Sequence, residues 1–317
     1  MELSKETIRG LTVGAAEIWE EHGCLYFSKT TAEQTDAWVA YAPRLEERVR
    51  ATTGVRLDFI TDSPFLRVVT AGGRKFEVLV DGLLSERYYP APEDPSFESK
   101  IGEGGEHRVT LVFPSHGEAG RIARVSVADG ASVRPVSFRR RFLFLGDSIT
   151  QGWNAAYDSQ SFAWLLSLWA DAESINQGVG GGVFIPETVT DFGYRPDTVF
   201  VEFGTNDFAS GRTADRLRET ASATFARVAS IYKDARIYAI TPTWRTDGEK
   251  PRALGSFDDC RRIVAGAAEE AGISVIDGYS LYPHKDLYMA DSVHPNDLGF
   301  AHYAANIFRI LIADGAV

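Results

Sequence analysis

The sequence is poor in the residues that mark several classes of protein. Its 317 residues include only two cysteines, Cys24 and Cys260, which lie far apart and fit neither a zinc nor a redox motif. We therefore expect two free thiols rather than a disulfide. No stretch approaches the roughly 18 apolar residues that a membrane-spanning helix requires, so no membrane partner is expected.

The chain also lacks an excess of positive charge. Its formal net charge is −11, whereas a protein that binds nucleic acid needs a basic surface, so no nucleic-acid partner is expected. The first 21 residues have neither the basic start nor the apolar core of a secretory signal peptide. This composition predicts a cytoplasmic location.

The pattern of apolar residues divides the chain into two parts. In residues 1–138, short apolar runs alternate with turn signals such as Asp81-Gly82, which favours an antiparallel β-sandwich of about six strands. One helical interruption is expected near residues 35–50, where Pro43 weakens the helical pattern. The boundary is predicted between residues 138 and 139, because Pro135 and the basic residues 139–141 interrupt both patterns.

Residues 139–317 alternate apolar strands with amphipathic helices. Buried parallel strands are predicted at 142–145, 198–203, 237–240 and 273–276, with a weaker one near 174–175. Helical apolar stripes separate them, and Ser256 with Asp259 is a candidate cap for one of these helices. Five parallel strands alternating with helices predict a doubly wound α/β domain with its functional loops at the carboxyl ends of the strands.

Asp291 and His294 form the clearest chemical pattern in the chain. A carboxylate three residues before an imidazole can fix the tautomer of the ring and leave its other nitrogen free as a base. His284 near Asp286 is a rival pair. The other four histidines are expected to lie on the surface or in ordinary packing: His22, His107, His116 and His302.

A nucleophile that such a base could serve is present in Ser148. It follows the apolar run 142–145 through Gly146-Asp147, which places it just past the carboxyl end of the first parallel strand. Serine is a weak nucleophile that needs a base within about 3 Å. A serine at a strand-to-helix junction is also a common helix cap, so this tripeptide alone leaves both roles open.

Two further loops are expected at the same edge of the sheet. Residues 176–182 contain four glycines, whose bare backbone N–H groups can approach an oxyanion. Asn206 follows the strand 198–203 and can offer a side-chain amide as a second donor. Taken alone, each loop is more simply explained as a turn.

Four short segments together resemble a known family, the SGNH (GDSL-type) hydrolases. The segments are GDSI at 146–149, NQGVGG at 176–181, GTND at 204–207 and DSVHPNDLGF at 291–300, in the order of the family's four sequence blocks. The phrase HPNDLGF is similar to a branch with an N-terminal β-sandwich, some members of which are carbohydrate esterases. The resemblance implies a flavodoxin-like five-stranded parallel sheet preceded by a jelly-roll-like sandwich.

The resemblance also implies a role for each matching residue. Ser148 would be the nucleophile, His294 the general base and then the general acid, and Asp291 would orient His294. The backbone N–H groups of Ser148 and Gly181 and the side-chain amide of Asn206 would form the oxyanion hole. No metal or organic cofactor is implied.

Two of these assignments need a choice between neighbours. Gly181 is preferred to Gly180 because it lies five residues past Asn176, as in the family pattern, but the run of three glycines leaves a one-residue ambiguity. Many relatives carry serine at the position of Gly180. His284 is disfavoured as the base because its surroundings lack the family's pattern.

The expected substrate is a short-chain ester, because no long apolar lid is visible and the branch resembles carbohydrate esterases. We expect removal of acetyl groups from a sugar or oligosaccharide. Trp153, Phe208 and Trp244 are candidates both for contacting the substrate and for core packing. The alternatives are a generic short-chain aryl- or alkylesterase with a non-sugar substrate and a carbohydrate-binding protein with an inactive hydrolase half. The sandwich would cover the mouth of the site or mediate homo-oligomerisation.

Overall fold

Two antiparallel sheets pack face to face in the first part of the chain. The computed structural model describes all 317 residues. The strands of this part are β1 (Thr12–Val13), β2 (Glu17–Glu21), β3 (Cys24–Ser28), β4 (Arg56–Thr61), β5 (Phe65–Gly72), β6 (Phe76–Val80), β7 (Leu83–Tyr88), β8 (Ser96–Lys100), β9 (His107–Val112), β10 (Arg121–Ser126) and β11 (Val133–Pro135). One sheet has the order β2-β3-β10-β5-β8, and the other has β1-β4-β9-β6-β7 with β11 beside β4.

Side chains from both sheets meet in one core, which confirms the predicted sandwich. Phe27 and Leu66 come from the first sheet, and Phe59 and Phe76 from the second. The sequence pattern indicated about half of these strands. The missed strands include β2, which lies at a sheet edge and is mostly exposed, so it lacks the inward-facing apolar row that marks a strand.

A five-stranded parallel sheet forms the centre of the second part, as predicted. Its strands are β12 (Arg140–Gly146), β13 (Ala172–Gly178), β14 (Thr198–Glu202), β15 (Arg236–Ile240) and β16 (Ser274–Ile276), in the order β13-β12-β14-β15-β16. β13 pairs with one edge of β12 and β14 with the other, so the order in which the chain adds strands to the sheet reverses at β12. The crevice at such a switch point, outside the carboxyl ends of the strands, is where ligands bind in open α/β sheets.

Helices cover both faces of this sheet. The helices of the whole chain are α1 (Lys5–Leu11), α2 (Ala32–Tyr41), α3 (Glu46–Arg50), α4 (Ser148–Gln151), α5 (Phe162–Trp169), α6 (Thr205–Ala209), α7 (Ala214–Ile231), α8 (Phe257–Glu270) and α9 (Asp297–Ala313). Successive residues of β12 enter different cores: Leu143 lies in the core with α7 and α8, and Phe144 in the core with α5 and α9. The predicted cap forms, because Ser256 and Asp259 make a reciprocal capping box at the start of α8. No helix has both the length and the apolar character needed to cross a bilayer.

The helical interruption in the first part packs against the second part. The predicted single helix over residues 35–50 forms instead as α2 and α3, separated by a short 3₁₀ turn that Pro43 begins. Trp38, Leu45 and Val49 from this segment lie in the same apolar core as the parallel sheet. The Trp38 ring centroid is 6.3 Å from that of Phe203, at the end of β14. Residues far from the hydrolase-like motifs in sequence therefore reach the carboxyl edge of the sheet.

Candidate active site

Ser148 lies at the first position of α4, directly after β12. The preceding Asp147 caps the helix, because its carboxylate accepts the backbone N–H of Ile149 at 2.9 Å. Gly146 is required at the end of the strand, since a Cβ there would lie 2.0 Å from Thr150 Oγ1 and 2.7 Å from the Glu202 carbonyl oxygen. The local sequence thus forces a sharp strand-to-helix turn that presents the Ser148 hydroxyl.

His294 is the histidine that reaches Ser148. Its Nε2 lies 2.9 Å from Ser148 Oγ, and its Nδ1 lies 2.8 Å from Asp291 Oδ2. An ionised carboxylate can only accept, so Nδ1 carries the ring proton and Nε2 is left to accept the serine hydroxyl. This arrangement can take the proton of Ser148 as the hydroxyl attacks a carbonyl carbon.

Asp291 is held in its charged form by the turn in which it lies. Burial acts to raise its pKa, but hydrogen bonds from the backbone and ring of His294 and from the Val293 N–H outweigh it and leave the pKa below its ordinary value. Asn154 Nδ2 donates a further bond to Asp291 Oδ2 at 2.6 Å. The sequence did not single out Asn154, because its partner lies 137 residues later and no local pattern marks the pair.

The glycine loop after β13 offers one free backbone N–H to the site. The Gly180 N–H donates to Gln151 Oε1 at 2.7 Å, whereas the N–H groups of Gly181 and Ser148 have no protein acceptor. Of the two candidate glycines, Gly181 is therefore the one whose N–H is available. Its φ of +81° lies in the left-handed region that favours glycine.

Asn206 lies in the first turn of α6, shortly after β14, and links this helix to the glycine loop. Its Nδ2 donates to the Gly182 carbonyl oxygen at 2.9 Å, which uses one of its two hydrogens and leaves the other free. The structure joins Ser148, His294 and Asp291 by hydrogen bonds. Gly181 and Asn206 lie on two neighbouring segments at the same edge of the sheet, which are joined by the bond from Asn206 to Gly182.

Residues of the first part of the chain form hydrogen bonds with the glycine loop and with α4. Lys29 is fully buried, and its Nζ donates to the carbonyl oxygens of Gly178 at 2.6 Å and Arg48 at 3.0 Å. Burial lowers the pKa of Lys29 to about 7. Gln151 Nε2 donates to the His116 carbonyl oxygen at 2.8 Å. Sequence reasoning missed this support, although Gln151 lies one turn after Ser148 on the same helix face.

Two buried acids lie beneath α4. Glu202 accepts the hydroxyl of Tyr303 at 2.6 Å and that of Thr150 at 2.7 Å. Burial raises the pKa of Glu202 to about 7. Burial, followed by the nearby Glu202, also raises the pKa of Asp147 well above its ordinary value. The two bonds of Glu202 anchor α4 to β14 and α9. The structure contains no group of three or more His, Cys, Asp or Glu side chains that could hold a metal ion.

The three aromatic residues proposed to contact a substrate have different surroundings. Phe208 is 0% exposed and packs against Phe257 in the core, so the structure does not support it as a pocket wall. Trp153 is half-buried beside the glycine loop, 3.2 Å from the position of a Cβ at Gly180. Trp244 is also half-buried. Its loop is tied to the histidine loop by a bond from the Thr246 N–H to the Ser292 carbonyl oxygen.

Two other histidines lie in places that the sequence did not indicate. His284 stacks on Trp244 with ring centroids 5.2 Å apart, and its Nε2 is bonded to the Tyr279 carbonyl oxygen at 2.6 Å. His116 was expected on the surface or in ordinary packing. It is half-buried against Trp153, because α4 and the sandwich meet there.

The chain is similar to a known sequence family and to several solved structures. The sequence profile of the GDSL-like lipase/acylhydrolase family matches residues 144–302. A comparison with curated proteins finds no match. The structure is similar to the salicylyl-acyltransferase SsfX3 from a tetracycline biosynthetic pathway, with a TM-score of 0.84 and 21% identity over 96% of this chain and 95% of that chain.

Two further solved structures share the fold over nearly the whole chain. A putative GDSL-like lipase from Bacteroides ovatus has a TM-score of 0.77 and 16% identity over 98% of this chain and 96% of that one. A family two carbohydrate esterase from Cellvibrio japonicus has a TM-score of 0.67 and 16% identity over 96% and 95%. Because the family profile spans half of the chain, from before Ser148 to beyond His294, the protein belongs to the GDSL-like lipase/acylhydrolase family and is an ester-hydrolysing enzyme.

Proposed function

We propose that the protein is a serine esterase that removes short acyl groups, acetyl above all, from hydroxyl groups of sugars or oligosaccharides. The observation that carries this proposal is the hydrogen-bonded chain Ser148–His294–Asp291 beside two free backbone N–H groups. The choice of substrate is supported by the similarity to family two carbohydrate esterases and to an acetyl xylan esterase from Butyrivibrio proteoclasticus.

The proposed reaction has two halves. Ser148 Oγ attacks the ester carbonyl while His294 Nε2 takes its proton, and Asp291 stabilises the imidazolium that forms. The N–H groups of Ser148 and Gly181 and the amide of Asn206 stabilise the tetrahedral oxyanion. His294 then protonates the leaving alcohol, and water attacks the acyl-enzyme by the same route in reverse.

A second candidate function is transfer of the acyl group to an alcohol other than water. The similarity to a salicylyl-acyltransferase, which extends over 96% of this chain, favours it. Both functions share the acyl-enzyme and differ only in the nucleophile that resolves it. Product analysis in the presence of a sugar acceptor distinguishes them, because transfer yields an acylated acceptor and hydrolysis yields the free acid.

The substrate preference predicts a steep dependence on acyl length. We expect kcat/KM to be highest for acetyl esters and to fall for long-chain p-nitrophenyl esters, with acetylated xylo-oligosaccharides turned over efficiently. The measurement is a panel of p-nitrophenyl esters from acetate to palmitate beside acetylated xylo-oligosaccharides. Comparable kcat/KM values for long-chain esters and acetylated oligosaccharides would contradict the preference.

Asn206→Ala should lower kcat by about 10²- to 10³-fold, the usual loss for one oxyanion donor. Since the amide acts on the transition state, KM should change little while kcat falls. Ser210→Ala is a matched control, because Ser210 caps the end of the same helix and its hydroxyl bonds only the Asp207 carbonyl oxygen. Equal activity of the Asn206→Ala and Ser210→Ala variants would show that Asn206 does not contribute to the oxyanion hole.

A further inference from the structure

Two arginines reach the glycine loop: Arg44, which lies between α2 and α3, and Arg48, which lies within α3. A Cβ at Gly181 would lie 2.8 Å from Arg48 Nη1 and 3.3 Å from Arg44 Nη1. Both guanidinium groups therefore lie beside Gly181, the residue whose backbone N–H would bind the oxyanion. The segment is fixed in place, because Leu45 between the two arginines is 0% exposed in the core.

Neither arginine has an acidic partner. Arg48 Nη1 donates to the Gly180 carbonyl oxygen at 2.9 Å, and its guanidinium lies 5.2 Å from the ring centroid of Trp153. Arg44 is exposed and makes neither a hydrogen bond nor an ion pair. The neighbouring Glu46 is bound instead by Arg50 at 3.0 Å. In a chain with a net charge of −11, the site is thus bordered by unneutralised positive charge.

The guanidinium groups of Arg44 and Arg48 repel one another when no anion lies between them. The Nη1 atoms of Arg44 and Arg48 both lie within 3.3 Å of the position that a Cβ at Gly181 would take. Two positive charges this close to the same position repel one another. An anion between them removes this repulsion. The planar guanidinium fork matches the oxygens of a carboxylate or phosphate, and its charge persists at all ordinary pH values.

We infer that the ester substrate carries an anionic group, a carboxylate or a phosphate, which Arg44 binds together with Arg48 beside the oxyanion loop. The inference rests on the proposed function and narrows it. Among sugars, it favours acetyl esters of uronic acids or of sugar phosphates over those of neutral sugars. Arg44 would act as a specificity-determining residue, because its guanidinium makes no hydrogen bond or ion pair within the protein.

The test compares anionic with neutral substrates in the full-length protein. The substrates are an acetylated uronic-acid oligosaccharide, an acetylated sugar phosphate and an acetylated xylo-oligosaccharide, and the quantity is the ratio of kcat/KM for each anionic ester to that for the neutral one. We expect at least one ratio to exceed about tenfold in the wild type, to fall about tenfold in Arg44→Gln and further in Arg44→Glu. The better of the two anionic esters identifies the group.

Arg124→Gln is the matched control, because Arg124 lies on β10 of the sandwich and also has no ion-pair or hydrogen-bond partner. It should keep the wild-type ratios. Raising the ionic strength should lower the preferred ratio in the wild type more than in Arg44→Gln, since salt screens charge recognition. Ratios near one that Arg44→Gln leaves unchanged, with neutral acetyl esters still cleaved, would overturn this inference and leave the proposed esterase function standing.

A binding measurement tests whether Arg44 recognises an anion without requiring that any ester be cleaved. Glucuronate, glucose 6-phosphate and glucose are titrated into the wild type and into Arg44→Gln by calorimetry. At least one anion should bind the wild type more tightly than glucose and lose this advantage in Arg44→Gln. Equal binding of all three compounds to the wild type would overturn the inference, whereas failure to cleave any ester would overturn the proposed function.

Discussion

Ser148→Ala should lower kcat by about 10³- to 10⁶-fold, the largest effect that we expect from any single substitution. The hydroxyl of Ser148 is the atom placed to attack, and its only side-chain hydrogen bond is to His294 Nε2 at 2.9 Å. Removing it deletes the nucleophile but no bond on which the fold depends. The melting temperature should therefore stay close to that of the wild type.

The measurement is the rate of p-nitrophenyl acetate hydrolysis, together with labelling by a serine-directed phosphonate. Mass spectrometry should place the phosphonate on Ser148 in the wild type and find no label in the variant. Near-normal turnover by a folded Ser148→Ala protein would end the proposal of a serine esterase. Absence of both labelling and ester turnover in the wild type would instead support the alternative of an inactive hydrolase half, because the phosphonate reacts only with an activated serine.

His294→Ala should cause a loss of similar size, because the unassisted hydroxyl of Ser148 is a weak nucleophile. The two changes together should cost about as much as either alone, since residues that act as a unit are strongly non-additive. His284→Ala is the informative control. It removes the other histidine that was considered as the base, and that residue contacts Trp244 and Tyr279 rather than Ser148.

The comparison is made by kcat for p-nitrophenyl acetate in the two single variants and in the double variant Ser148→Ala/His294→Ala. His284→Ala should keep most of the wild-type activity. The opposite pattern, with activity retained in His294→Ala and lost in His284→Ala, would show that the base was assigned to the wrong histidine.

The parts of the fold that followed from sequence are those in which local pattern and tertiary environment agree. The strands β12 and β14 contain the continuous apolar runs 142–145 and 199–201, because both faces of a parallel sheet are buried. The cap at Ser256 was readable because its partner, Asp259, is three residues away. The strand β2 was not predicted, because an exposed edge strand needs no alternating pattern.

The site was predictable to a similar extent and for a related reason. Ser148, the glycine loop and Asn206 each follow a parallel strand, and the topology of such a sheet gathers the strand ends at one edge. The environment of Phe208 was not predictable, because an aromatic residue beside a motif can face either the site or the core. Only packing against Phe257 decided for the core.

The sequence by itself determined the order of the elements and the residues that carry chemistry, since helix and strand periods and short motifs are local properties. Only the tertiary structure decided which glycine N–H is free, because that depends on the bond from Gly180 to Gln151. It also brought Lys29 to Gly178 across 149 residues and Arg48 to Gly180 across 132. Such contacts arise from burial and hydrogen bonding between distant segments, and no local pattern in a single sequence encodes them.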